Sequence, residues 1–151
     1  GMPLFVRLSV SEWARDKNGW DIPDSIKLSK ILKNKGVDLI DCSGGNNTSD
    51  CVPLSGPCYQ VHYAEEIKKI CGIMTSAVGE ISTIEQINDI LENDKADIVM
   101  IGRGALKNPY FPYMCAEQLG FKLTDLADMY PLPHAHFLKR YWKELEKRNQ
   151  K

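Results

Sequence analysis

The chain has 151 residues, enough for one domain with a sizeable core. It is 43% hydrophobic and 26% charged, with a net charge of −1, so no excess of Lys and Arg is available to neutralise phosphates, which argues against nucleic acid as a partner. No apolar run reaches the ~18 residues of a membrane span, and the start Gly1-Met2 lacks the charged and apolar regions of a signal peptide, so the expected location is the cytoplasm.

Gly1 ahead of Met2 reads as the scar of a removed tag, and residues 1–2 are set aside. Residues 4–8 are short, apolar and partly β-branched, which predicts a strand. A helix is expected over 24–35, with Ile26, Leu28, Ile31 and Leu32 on one side and Gly36 as its stop. Residues 37–42 form the second expected strand, and a loop rich in Gly, Asn, Ser and Pro runs from Ser43 to about Tyr59.

Ala64, Ile67, Ile70 and Cys71 mark the next helix, ended by Gly72, and residues 73–78 the third strand. Thr83 and Gln86 fit a capping box, in which each side chain satisfies a free backbone N–H at a helix start. Ile84, Ile87, Ile90 and Leu91 supply that helix's apolar stripe. The fourth strand is expected at 96–101, followed by Gly102-Arg103-Gly104, and a short helix at 110–119. Pro131 and Pro133 punctuate a connection, and a final helix over 134–148 aligns Phe137, Leu138, Tyr141, Trp142 and Leu145 opposite a basic face.

This is β-α four times over, which implies a parallel sheet with right-handed crossovers. An open doubly wound sheet and part of a (βα)8 barrel, which needs ~250 residues when whole, both fit that alternation.

The residues able to carry chemistry gather at strand ends. Arg7 interrupts the first strand on the face of Phe5 and Ser9. A guanidinium among apolar residues needs an anion, which is either a structural ion pair or a ligand that carries or gains negative charge. Strands two to four end in Ser43-Gly44-Gly45, Val78-Gly79 and Gly102-Arg103-Gly104. Small residues there let a ligand approach backbone N–H groups, and Arg103 adds a bidentate cation. All lie where parallel α/β folds place their sites. No G-x-G-x-x-G follows a strand, which disfavours a dinucleotide-binding sheet. His134 and His136 are two apart and do not share a helix face, so no metal site is expected. Asp38 and Asp41 lie on opposite faces of their strand and make no acid–base pair. Five cysteines with no Cys-x-x-Cys are read as free thiols.

Residues 5–9 (FVRLS) and 36–44 (GVDLIDCSG), then 59–67, 75–79 (TSAVG) and 101–111 (IGRGALKNPYF), resemble in unbroken order the C-terminal half of old yellow enzyme-type flavin reductases, the xenobiotic-reductase branch in particular. The resemblance implies the C-terminal half of a TIM (βα)8 barrel, four βα units over residues 3–120 with FMN bound, and a helical extension over 121–151. It implies FMN as cofactor, NADH or NADPH as reductant, and an activated alkene or other small-molecule electron acceptor. Arg7 would lie beside the flavin pyrimidine ring, where a cation stabilises charge developing at N1. Ser43 would contact the cofactor's polar chain, and Gly79, Gly102 and Arg103 would hold its phosphate.

The family's N-terminal four βα units, with the His pair or His/Asn pair that activates substrate and the proton-donating Tyr, have no counterpart here. The expectation is an ene-reductase-type cofactor half, with a non-catalytic truncated remnant or interaction half-domain as one alternative. A tRNA-dihydrouridine synthase is another, since its flavin barrel also carries a Gly-Arg…Asn-Pro segment after the last strand. The near-neutral charge and the Asp41-Cys42-Ser43-Gly44-Gly45 segment speak against it. Half a barrel leaves two open edges and an exposed inner layer, so self-association or a missing N-terminal half is expected.

Overall fold

A computed structural model of the chain describes residues 1–14, 18–45, 47–49, 51–52, 54–122, 126–127 and 130–149. They fall into two compact units, residues 1–106 and 107–151.

The first unit holds a four-stranded parallel sheet in the order β1-β2-β3-β4, where β1 is Phe5–Ser9, β2 Leu39–Ser43, β3 Met74–Ala77 and β4 Ile98–Val99. The helices between them are α1 (Ile22–Asn34), α2 (Val61–Cys71) and α3 (Ile84–Glu92). Sequential strand order has no reversal, which is the mark of a doubly wound sheet, so that alternative is excluded. All three helices share one core with Val6, Leu8, Ile40, Cys42, Ile73, Ala77 and Val99. The opposite face carries Phe5, Arg7 and Ser9, then Leu39, Asp41 and Ser43, then Met74 and Ser76. Phe5 and Met74 are about half exposed there. One helix layer outside and an inner layer of strand side chains is the C-terminal-half TIM-barrel architecture.

Local chemistry sets the boundaries. α1 begins two residues before its expected start because the Asp21 carboxylate accepts from the Ile22 N–H at 2.8 Å and Pro23 suits the first turn. Its buried face is centred on Ser25 and Ser29, and Ile31, expected inside, is exposed. Small serines let the helix lie close to β1, where the Ser25 hydroxyl donates to the Val10 carbonyl at 2.8 Å. α2 ends at Gly72, whose φ of 60° closes the left-handed cap. The capping box of α3 forms as expected: the Gln86 N–H donates to Thr83 Oγ1 at 3.3 Å, and the Thr83 N–H to Gln86 Oε1 at 3.2 Å. β4 is shorter than its apolar run, although N–H groups of Asp97 and Met100 extend the ladder onto β3 at 2.9 and 2.8 Å.

The second unit contains α5 (Phe111–Gln118) and α6 (Leu132–Asn149), and a short α4 (Arg103–Lys107) joins it to the first. α6 starts before His134 because Pro133, expected in a connection, sits in its first turn, where its missing N–H costs nothing. Within this unit the Tyr113 and Tyr130 rings stack with centroids 4.1 Å apart.

Candidate functional site

The strand register places Arg7, Asp41 and Ser76 side by side on the face opposite α1, α2 and α3. Arg7 Nη1 donates to Asp41 Oδ2 at 2.8 Å, and the Ser76 hydroxyl donates to Asp41 Oδ1 at 2.6 Å. The Asp41 side chain is 10% exposed and that of Arg7 is 56% exposed. The carboxylate is therefore satisfied on both oxygens, while the guanidinium remains more than half exposed. The geometry shows the structural ion pair expected of Arg7. Asp41 joins the candidate site only through its neighbouring strands, since its partners Arg7 and Ser76 lie 34 and 35 residues away in sequence.

Ser43 ends β2, and its carbonyl accepts from the Val10 N–H at 2.8 Å. Behind it the Trp13 ring lies on Gly44 and Gly45, and a Cβ on Gly45 would stand 2.3 Å from that ring. Trp13 Nε1 donates to the Tyr63 hydroxyl, and its ring centroid is 5.9 Å from that of Tyr59. The strand-end glycines of β2 are thus needed for an aromatic lid over the turn.

Gly79 and Gly102 play different parts. Gly79 has φ of 126°, and a Cβ there would meet the Gln60 backbone nitrogen at 3.1 Å, so packing demands glycine. Around Gly102 nothing lies within 4 Å of a Cβ position, which leaves the backbone beside Arg103 open to approach. Arg103 Nη2 meets Glu80 Oε1 at 3.2 Å, and the Gly56 N–H donates to Glu80 Oε2 at 3.2 Å. The structure therefore gathers Gly79, Gly102 and Arg103 into one cluster at the C-terminal ends of β3 and β4. Arg7 lies three strands away, roughly 14 Å by the ~4.8 Å spacing of strands. An open backbone beside a guanidinium fits the phosphate of an extended cofactor, and the donors of Arg7 fit a ring that gains negative charge.

Other candidates carry less. Burial, then the charges of Asp41 and Cys71, push the Cys42 thiol up to about 12, so it is no nucleophile. Among the described residues no group of His, Cys, Asp and Glu could hold a metal ion, and no helix is long and apolar enough to cross a membrane.

A family model described as dihydrouridine synthase (Dus) matches residues 18–150. The match overturns the expected membership of the old yellow enzyme family and, with it, the ene-reductase function on a free alkene. The physical reason is that both resemblances rest on the Gly-Arg…Asn-Pro segment after the last strand, and that segment does not specify the acceptor. The match also overturns the exclusion of nucleic acid, since the family acts on tRNA. Net charge misled because it averages two unlike parts. Residues 1–106 carry eleven Lys and Arg against fifteen Asp and Glu, a balance of −4, whereas residues 107–151 carry eight against five, +3. Nor does residues 41–45 (DCSGG) count against a tRNA substrate: Asp41 is spent on Arg7 and Ser76, and Cys42 is buried.

Proposed function

The chain belongs to the dihydrouridine synthase family, TIM-barrel flavoproteins that act as oxidoreductases, and from that premise we propose that it takes part in the reduction of uridine in tRNA, with FMN as cofactor and NADPH as electron donor. The family match over residues 18–150 carries this reading.

FMN when bound supplies two-electron chemistry, by which a hydride from NADPH reaches the C5–C6 double bond of uracil and a proton completes dihydrouracil. The chain's own residues supply binding and electrostatics. Arg103 grips the phosphate as a planar, two-pronged donor. Gly102 keeps a side chain out of that grip, and Gly79 lets the turn beside it pack against Gln60. Ser43, at the end of β2, contacts the polar chain. Arg7 faces the pyrimidine end of the ring, and Asp41 holds its guanidinium in place while offsetting part of its charge. The substrate's phosphates meet the basic second unit, where α6 presents Lys143, Lys147 and Arg148.

The test is chemical. Protein loaded with FMN is incubated with NADPH and an unmodified tRNA transcript, and its nucleosides are weighed by mass spectrometry. The proposal expects a uridine heavier by two hydrogens. A flavin-loaded protein that leaves every uridine unchanged contradicts it.

A further inference from the structure

The strand-end turn after β3 holds two successive residues in left-handed backbone regions, Gly79 at φ 126° and Glu80 at φ 53°. Glycine takes such angles freely, but a glutamate does so at a cost, and strain of this kind persists where the surroundings impose it. What the conformation achieves here is the placing of one carboxylate. Oε1 of Glu80 accepts from Arg103 Nη2 and Oε2 from the Gly56 N–H, each at 3.2 Å. Segments following β2, β3 and β4 thus converge on a single anion.

A guanidinium together with a backbone N–H is also the donor set that a phosphoryl group seeks. Two anions cannot share one arginine at close range without repulsion. We propose that Glu80 is a resident competitor for the flavin phosphate: its carboxylate occupies Arg103 and the Gly56 N–H until a phosphoryl group displaces it. This rests on the reading of Arg103 as a phosphate ligand. The side chains of Arg103 and Glu80 are 78% and 36% exposed, so the pair is solvated and weak enough to exchange. The exchange keeps Arg103 paired in both states. It also sets a threshold: only a ligand carrying an anion strong enough to evict Glu80 is held, which separates FMN from riboflavin.

The experiment compares FMN and riboflavin binding to the full chain, followed by quenching of flavin fluorescence. Glu80→Gln is expected to bind FMN about two- to fivefold more tightly, the scale of a solvated ion pair, with riboflavin affinity unchanged. Inorganic phosphate should compete with FMN at lower concentration in the variant. Should Glu80→Gln fail to fold, Glu80→Gly removes the carboxylate while favouring the same backbone angles, and the same gain is expected. An FMN affinity equal to or weaker than wild type in the folded variant overturns the competitor role. Arg103→Ala separates this from the underlying reading. If it loses FMN affinity while Glu80→Gln stays at the wild-type level, the phosphate site stands and the competitor falls. If Arg103→Ala binds FMN as wild type does, both fall.

Discussion

Arg7 and Asp41 stand opposite each other in the β1–β2 register and close an ion pair of 2.8 Å. Asp41→Asn keeps the shape and removes the charge. Since the arginine is more than half exposed and can rehydrate, the expected loss is only about 1 kcal/mol, below the range for hydrogen bonds to fully buried charged groups. Urea denaturation measures it. With FMN bound, the unopposed Arg7 charge should raise the flavin's midpoint potential, because a reduced, anionic ring gains most from it. A potential unchanged or lowered in spectroelectrochemistry speaks against Arg7 lying near the ring.

Gly45 is bound to its identity by Trp13. Gly45→Ala places a methyl group 2.3 Å from the indole and forces it into φ of 78°. Overpacking and left-handed strain together should cost about 2–4 kcal/mol. The indole's emission should shift as the ring is driven off the turn. A variant of wild-type stability with an unshifted spectrum contradicts the packing described here.

Cys42 governs part of the alkaline stability. Burial raises its thiol from an ordinary 9.0 to about 12. As pH climbs past 9 the unfolded chain gives up this proton first, so the contribution is whole below about pH 9 and is lost between 9 and 12. Cys42→Ala should therefore flatten the fall in melting temperature over that window. At pH 8 a thiol reagent should leave Cys42 unlabelled in the native protein and reach it only after unfolding.

Binding of tRNA should be salt-dependent and should draw on α6. Lys143→Glu and Arg148→Glu are expected to weaken binding of any tRNA alike and to shallow the dependence of affinity on salt, since contacts to phosphate carry no sequence information. Filter binding at a series of salt concentrations measures both. A wild-type slope in the variants would place the RNA elsewhere.

Much of the scaffold was legible in the sequence because local signals decide it. Thr83 and Gln86 announce a helix start three residues apart, and Gly72 announces a helix end. The fourfold alternation fits an open sheet and a portion of a barrel alike, and the half-barrel is chosen by the ordered segments from 5–9 to 101–111 that resemble a flavin barrel. What stayed hidden depends on pairs distant in sequence. Arg7 and Asp41 are 34 residues apart, and their register exists only once β1 and β2 pair. Nothing local marks Glu80, since neither its left-handed backbone nor its reach to Gly56 leaves a trace in the sequence. The acceptor has no local signal: a net charge of −1 conceals a basic second unit, and the segment over 101–111 does not encode what is reduced.

The central question is whether this chain holds FMN through Arg103 and Arg7. The decisive measurement is titration of the purified protein with FMN, followed by visible absorbance and fluorescence. Saturable binding that perturbs the flavin spectrum is predicted, weakened at least tenfold in Arg103→Ala through loss of the charged phosphate contact, about 1.4 kcal/mol or more, and weakened further when Arg7→Ala is added. Binding that is absent, or equal in wild type and both variants, would contradict it.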